Sequence, residues 1–391
     1  MLWPMLPTAP VLHQAAPATP LSLDSWHPDD LLEQLVLVGC RTQQARQALL
    51  QLAKGTWQTA TPWPVLLATL GKTARKSVEL LVIAPVELQV TDDRGSADAT
   101  RKLLLRTHDG HLIETVVIPS TTGTRTTVCL SSQVGCGRRC TFCETGRSGL
   151  IRNLTAGEIV AQLRQAQRSW QRHSPELAPI RNVVFMGMGE PLDNLAEVAT
   201  AVAVLTHDRG AGLSWRHVTV STVGVAHKIS AFFEQVQAHL AVSLHAPDDA
   251  RRSEWMPINA RCDLATLKSA LLQHLPPGRE VLVEYILFAD RNSALADAEL
   301  LCGWLAGLPV RVNLIPANPG PDPQLGAPPA EQVWQFQKYL LDRGIRAMVR
   351  HPHGRDIGGA CGQLAGAHRR EAVNRQGPDG VDEDAGANAP L

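Results

Sequence analysis

One short run of the chain, GCGRRCTFC, places Cys136, Cys140 and Cys143 at spacings of four and three residues. A structural zinc site needs four ligands and usually shows two C-x-x-C pairs, and this sequence has no second pair. Cys140 and Cys143 alone also fit a thioredoxin-like redox motif, although Cys136 and the lack of a helix start argue against it. A 4Fe-4S cluster takes one thiolate per iron, so three cysteines leave one iron open to a chelating small molecule. The spacing therefore favours a cluster with an open iron.

Polar residues that suit a bound ligand follow several apolar runs. In GMGEP, residues 187–191, the small residues allow the backbone to approach a ligand, and Glu190 can accept a hydrogen bond from an ammonium group. Ser221, His245 and Asn318 stand at the ends of later runs. A simple turn at GMGEP and a structural role for His245 remain open alternatives.

Six β-rich runs between residues 126 and 350 are each followed by an amphipathic segment, and they predict the elements that position these residues. Alternating β and α runs are typical of a parallel α/β architecture. Six units are too few for a closed eight-stranded barrel, so we expect a partial (β/α)6 TIM-like barrel with its site at the carboxyl ends of the strands. Thr155 and Glu158 fit a capping box at the first long helix. The six runs are TTVCLSS, NVVFMG, HVTVST, HLAVSLH, VLVEYILF and VRVNLIP.

The segments around this core have different characters. Helical periodicity in the N-terminal part predicts a small accessory domain, and Asp109-Gly110 between two apolar runs predicts a β-hairpin that links it to the core. The C-terminal part is Gly-rich and then polar. The predicted boundaries are a flexible leader at 1–25, a helical domain at 26–90, a hairpin linker at 91–125, the core at 126–350, a C-terminal loop at 351–368 and a disordered tail at 369–391.

Composition limits the class of protein. With 391 residues, 44% of them hydrophobic, the chain can bury a large core, and its N-terminus resembles neither a signal peptide nor a membrane span. We therefore expect a cytoplasmic protein without a membrane partner. The 37 basic and 37 acidic residues give no overall attraction to a polyanion. Four local basic runs suit either phosphate contacts or a solvated surface: RTQQAR, KTARK, RKLLLR and GRR.

The spacing C-x-x-x-C-x-x-C, with Phe142 before the last cysteine, resembles the motif of the radical S-adenosylmethionine (radical SAM) superfamily. Further segments over about residues 110–366 resemble the RlmN/Cfr family of radical SAM RNA adenine methyltransferases, in that family's order. Two departures are Glu144, where a small residue is common, and His353, where the family often has Arg. The matching segments are CLSSQVGCGRRCTFCETGRSGLIRNLT, VVFMGMGEPLDN, VTVSTVGV, LAVSLHAPDDARRSEWMPIN, VNLIPANPGP and DIGGACGQLAG.

The resemblance implies roles for individual residues. Cys361 is implied to be the cysteine that becomes methylated, Cys129 the cysteine that resolves a covalent RNA intermediate, and Glu114 a proton acceptor. The alternatives are a buried core cysteine at 361, a buried strand cysteine at 129 and a solvated strand glutamate at 114. The implied cluster ligands are Cys136, Cys140 and Cys143, and the implied S-adenosylmethionine contacts are Gly189, Glu190, Ser221, Ser243, Leu244, His245 and Asn318.

The implied reaction is methylation of an adenine ring carbon in ribosomal or transfer RNA. An sp2 carbon is a poor nucleophile, so a radical route and a covalent thioether replace direct methyl transfer. Attack by Cys129 on the Cys361 sulfur leaves a disulfide, and turnover then needs a reducing electron donor. A monomer is the default expectation. Two rival hypotheses are a radical SAM enzyme acting on a non-RNA substrate and a non-catalytic iron-sulfur RNA-binding protein.

Overall fold

The structure is a computed structural model, and it describes residues 22–58, 61, 63–81, 83–318, 325–350, 352–360 and 362–364. The predicted tail, most of the predicted leader and Cys361 lie outside the described residues. No helix in the described ranges is long and apolar enough to cross a membrane.

Four helices form the N-terminal part of the described chain around a small apolar core of their own. The first helix begins at Pro28, a favourable first helical residue, with two aspartates in its first turn. Asp24 joins this part to the core, because its buried carboxylate accepts a hydrogen bond from Arg164 Nη1 at 2.9 Å. The four helices are α1 (Pro28–Leu37), α2 (Thr42–Ala53), α3 (Trp63–Ala68) and α4 (Lys72–Leu80).

A ten-stranded mixed sheet forms the core of the described chain, and a two-stranded sheet lies beside it. Its order is β1-β2-β3-β4-β7-β8-β9-β10-β11-β12, with β1 to β4 antiparallel and the strands from β4 onwards parallel. The bounds are β1 (Gln89–Gly95), β2 (Arg101–Arg106), β3 (Leu112–Pro119), β4 (Thr126–Cys129), β5 (Gln133–Gly135), β6 (Leu150–Asn153), β7 (Ile180–Phe185), β8 (Val218–Thr222), β9 (His239–Ser243), β10 (Val281–Leu287), β11 (Val310–Pro316) and β12 (Arg346–Val349).

The predicted hairpin is present as β2 and β3, which pair antiparallel around a turn where Gly110 has a φ of +88°. It continues the core sheet instead of forming a separate linker, because Val116 on β3 pairs with Cys129 on β4. Strand β1 extends the hairpin outward. Its sequence, QVTDDRG, is polar and exposed, so no apolar run marks it.

The α/β partial barrel is confirmed, with one more parallel strand among the described residues than the six predicted. The additional strand is β12, which pairs with β11 through Arg311 and Arg346. It has four residues with both polar and apolar side chains, so neither its length nor its pattern distinguishes it from a loop.

Helices connect the parallel strands and pack their apolar residues against the sheet. Thr155 and Glu158 form the predicted capping box at the start of α6, where Arg152 also donates two hydrogen bonds to Glu158. The remaining helices are α5 (Glu144–Arg147), α6 (Ala156–His173), α7 (Leu195–Thr206), α8 (Ile229–Gln235), α9 (Asp249–Trp255), α10 (Leu264–His274), α11 (Leu295–Leu305) and α12 (Ala330–Asp342).

Candidate active site

An open cavity lies at the carboxyl ends of the parallel strands, where a barrel of this type carries its site. The loop after β5 contributes the three clustered cysteines, and residues on or just beyond the six strands β7 to β12 complete the wall. Its chemically active lining residues are Cys136, Cys140, Cys143, Glu190, Ser221, Ser243, His245, Glu284 and Arg350.

Backbone hydrogen bonds hold the cysteine loop. The Cys136 N–H donates to Gly149 O at 2.8 Å, and the Cys143 N–H donates to Cys140 O at 3.1 Å. Gly146 at the next turn must be small, because a Cβ there would lie 3.1 Å from both the backbone N and O of Cys140. The local sequence therefore brings all three thiols to one wall.

Burial raises the pKa of all three cysteines, and that of Cys136 rises to about 12. Their mutual repulsion as thiolates raises the pKa of Cys140 further. A bound cation reverses this balance, since metal binding deprotonates a coordinating thiol. Three thiols that face one cavity, those of buried Cys136 and Cys140 and of half-buried Cys143, thus fit an iron-sulfur cluster with an open iron.

Glu190 stands at the cavity wall just after β7, in the predicted GMGEP turn. Gly189 has a φ of +107°, and a Cβ there would lie 2.7 Å from the Gln133 Cβ, so this turn requires glycine. The Glu190 carboxylate accepts hydrogen bonds from Leu192 N at 3.0 Å and Val223 N at 2.8 Å. Burial nevertheless raises its pKa to about 7. An ammonium group in the cavity would favour its charged form.

The two predicted serines lie side by side on neighbouring strands, with their Oγ atoms 3.5 Å apart. His245 follows β9 with a φ of +59°, a strained conformation for this residue type. Its Nδ1 accepts a hydrogen bond from Ile286 N at 3.2 Å, and burial lowers its pKa to about 3, so the ring is neutral with the proton on Nε2. The Leu244 side chain packs in the core, and its backbone N–H donates to Glu284 O at 3.0 Å.

A smaller cavity adjoins the first, and Met186, Ile315 and Arg350 line both. It contains the predicted Asn318 and Cys129. The Asn318 side chain accepts a hydrogen bond from Arg355 Nε at 2.9 Å, so the C-terminal segment already contacts it. Asn318 therefore belongs to the smaller cavity in this structure.

The chain on either side of Cys361 reaches both cavities. Ala360 lines the smaller cavity with Cys129, and Gly362 lines the larger cavity with the clustered cysteines. The Glu144 N–H donates to Gly362 O at 2.9 Å, so the departure at Glu144 contacts this segment through its backbone. His353, the other departure, lies with its Nδ1 3.2 Å from Asp98 Oδ2.

Glu114 is 1% exposed and forms an ion pair with Lys102, whose Nζ lies 3.2 Å from its Oε1. The alternative of a solvated strand glutamate is therefore wrong. Lys102 also donates to Gly358 O at 3.3 Å. In the run RKLLLR, Arg101 forms an ion pair with Asp93 and Lys102 forms one with Glu114. Because these two cations already have acidic partners, the run is poorly suited to bind phosphate.

Two buried charged residues of the site were not predicted. Arg252 is fully buried and donates to Asn259 Oδ1 at 2.7 Å and Val223 O at 2.6 Å, and burial lowers its pKa to about 10. Glu284 lies in the cavity wall on β10. It is the single charged residue in VLVEYIL, and a charge inside an apolar strand is a signal that sequence reasoning can use.

Comparisons with known proteins agree with this geometry. The model of the radical SAM superfamily matches residues 130–270. A solved radical SAM methyltransferase from Sphaerobacter thermophilus is 38% identical with a TM-score of 0.78, covering 88% of this chain and 99% of that one. The cofactors of this superfamily, a 4Fe-4S cluster and S-adenosylmethionine, are therefore those of this chain.

Curated relatives identify the family within that superfamily. A probable RNA methyltransferase of Sorangium cellulosum is 53% identical over 304 residues, which are 78% of this chain and 75% of the relative. A dual-specificity RNA methyltransferase RlmN of Lawsonia intracellularis is 40% identical over 332 residues, which are 84% of this chain and 92% of the relative. The chain belongs to the RlmN family of radical SAM RNA methyltransferases.

Proposed function

We propose that this enzyme methylates a ring carbon of an adenine in RNA and uses Cys361 as the methyl carrier. The observation that carries the proposal is the position of its two described neighbours. Ala360 lines the cavity that contains Cys129, and Gly362 lines the cavity that contains the clustered cysteines. These positions of the two neighbours support a role for Cys361 toward both the cofactor and Cys129.

The proposed cofactor residues are those that the family resemblance implies. Cys136, Cys140 and Cys143 would hold the cluster, and on reduction the bound cofactor pair supplies a 5′-deoxyadenosyl radical. Glu190 would hold the ammonium group of the ligand. The other proposed S-adenosylmethionine contacts are Gly189, Ser221, Ser243, Leu244, His245 and Asn318.

Cys361 would first take a methyl group from one S-adenosylmethionine, which leaves as S-adenosylhomocysteine. That methyl group would then lose one hydrogen atom to the 5′-deoxyadenosyl radical derived from a second S-adenosylmethionine, which becomes 5′-deoxyadenosine. The resulting carbon radical would bond to the base, Glu114 would accept the proton that the ring carbon gives up, and the cluster would take back the one electron that the adduct must lose. Glu114 lies two residues before Val116 on β3, and Val116 pairs with Cys129 on β4. Glu114 and Cys129 therefore lie at the same end of two neighbouring strands. Cys129 would then attack the Cys361 sulfur and break its bond to the methylene carbon, which takes up a proton as the methylated RNA leaves. An external donor would reduce the disulfide that remains.

We propose ribosomal or transfer RNA as the substrate, with the helical domain as an additional contact. A stacked adenine must be splayed out to reach the cavity, and phosphate contacts would hold the RNA while that happens. Arg41, Arg46 and Lys76 are exposed on this domain and available for such contacts. A non-RNA substrate or a non-catalytic RNA-binding role are the rival functions.

The test is to incubate cluster-loaded enzyme with S-adenosylmethionine bearing a deuterated methyl group and unmodified ribosomal or transfer RNA. Digestion and mass spectrometry should find a labelled methyladenosine. Cys129→Ala should instead accumulate a protein–RNA adduct that survives denaturing electrophoresis, and Cys361→Ala should form neither product nor adduct. Cys302→Ala, on α11 away from the cavities, is the matched control. Methylation by Cys361→Ala would contradict the proposal.

A further inference from the structure

Glu284 is a buried carboxylate in the cavity wall to which the proposed mechanism gives no role. It is 3% exposed, and its Oε1 accepts a hydrogen bond from Asn313 Nδ2 at 2.9 Å. Its Oε2 is also buried and has no hydrogen-bond partner among the described residues. The carboxylate therefore has one acceptor atom satisfied by the protein and one that is not.

An unsatisfied buried acceptor destabilises the fold, because it has lost its hydrogen bonds to water. Burial also raises the pKa of Glu284, against the opposing effects of nearby Arg350 and the Asn313 hydrogen bond. A group of this kind in a ligand cavity indicates a donor that arrives with the ligand.

The strand order separates Glu284 from the cluster end of the cavity. Glu190 follows β7, next to the cysteine loop, and its charge raises the pKa of both Cys136 and Cys140. Glu284 lies on β10, three strands further along the sheet, where it pairs in register with Ser243. A ligand with its amino-acid end at the cysteines and Glu190 would therefore direct its nucleoside toward β9 and β10.

We propose that Glu284 accepts a hydrogen bond from a ribose hydroxyl of S-adenosylmethionine and thereby selects the ribonucleoside end of the cofactor. Acidic side chains recognise ribose hydroxyls in this way in dinucleotide-binding folds. The inference rests on the proposed placement of S-adenosylmethionine in this cavity and is independent of the RNA substrate. Asn313 is then a positioning residue that orients the carboxylate.

Binding, not turnover, tests the proposal. Cluster-loaded enzyme is dialysed at equilibrium against S-adenosylhomocysteine and against its 2′,3′-dideoxy analogue, and the ratio of the two affinities is measured. A hydrogen bond to a charged group contributes about 1.5–3 kcal/mol, so the wild type should prefer the ribose form about 10- to 150-fold. Glu284→Met should reduce this preference to about onefold, and exposed Glu254→Gln on α9 should retain it.

Glu284→Gln keeps the shape of the side chain and should show an intermediate preference, which covers the case in which the methionine variant folds poorly. Equal weakening of both ligands by Glu284→Met, or a wild type that does not discriminate between them, would overturn the ribose contact. Normal nucleoside binding by Glu284→Met with loss of RNA methylation alone would also overturn it and move Glu284 to the substrate. Failure of the wild type to bind S-adenosylhomocysteine at all would overturn the cofactor placement itself.

Discussion

Replacing Lys102 with methionine should destabilise the junction between the hairpin and the C-terminal segment. Lys102 is 4% exposed and its partner Glu114 is 1% exposed, so neither charge is solvated in the folded state. Methionine keeps the apolar stem but removes the cation and its hydrogen bond to Gly358 O. Removal of one partner from a buried ion pair costs about 3–5 kcal/mol.

Hydrogen exchange of the β2 and β3 amides is the appropriate assay, because it measures the opening of this part of the sheet. A loss of about 3 kcal/mol corresponds to exchange faster by more than about 100-fold. Peptides that cover residues 352–360 should also exchange faster, since Lys102 no longer contacts that segment. Lys76→Met, at an exposed lysine of α4, is the control and should change little.

The double variant Lys102→Met, Glu114→Leu separates the ion pair from simple packing. With both charges removed, the loss should be smaller than the sum of the two single losses, since neither charge is left buried alone. Exchange in Lys102→Met that matches Lys76→Met, or additive losses in the double variant, would refute this account of the pair.

Three further outcomes follow from the structure. Gly189→Ala should load iron normally but lose S-adenosylmethionine binding, because a Cβ at this position would lie 2.7 Å from Gln133 Cβ. Gly303→Ala is the control and should bind S-adenosylmethionine normally, because the space around Gly303 is open. Normal binding by both variants would contradict the role of the Gly189 turn. Asp24→Asn should make the helical domain more sensitive to trypsin, because it breaks the buried ion pair between Asp24 and Arg164. Asp30→Asn, at an exposed position, should not have this effect. Equal digestion of the two variants would contradict the role of Asp24 in holding the helical domain to the core. Partial burial acts to raise the pKa of Asp98, but hydrogen bonds from Gly354 and Thr100 outweigh it and lower this pKa to about 2. The charged Asp98 carboxylate therefore stabilises the C-terminal segment at every pH above its ordinary pKa. This stabilisation is lost only as the pH falls toward 2. Hydrogen exchange of residues 352–360, corrected for the intrinsic rate, should show equal protection at pH 8 and pH 5, and Asp98→Asn should lose it at both; unchanged protection in that variant would count against the contact.

The sequence was most informative where chemistry and chain proximity coincide. Cys136, Cys140 and Cys143 share one loop, so their spacing alone indicates a shared ligand. The strand-end residues could be grouped because parallel strands present their carboxyl ends at one edge. Six β-rich runs, each followed by an amphipathic segment, predicted six of the parallel strands, since each run is long enough to show its character.

Contacts between side chains that are far apart in the chain could not be predicted from the sequence. Lys102 in a basic run indicated a surface, yet tertiary packing buries it against Glu114. Asp24 pairs with Arg164 across 140 residues, and Asn318 is bound by Arg355 from the C-terminal segment. Each of these contacts depends on how separate elements pack together, and no local pattern carries that information.

The most direct test of the central claim is the state of Cys361 after reaction. The cluster is reconstituted anaerobically, reductant and S-adenosylmethionine are added, and peptide mass spectrometry is applied to wild type and Cys136→Ala, with 5′-deoxyadenosine measured in the same samples. The account predicts a methyl group on Cys361 in the wild type, with 5′-deoxyadenosine formed only when the cluster is intact. An unmodified Cys361 together with active formation of 5′-deoxyadenosine would contradict it.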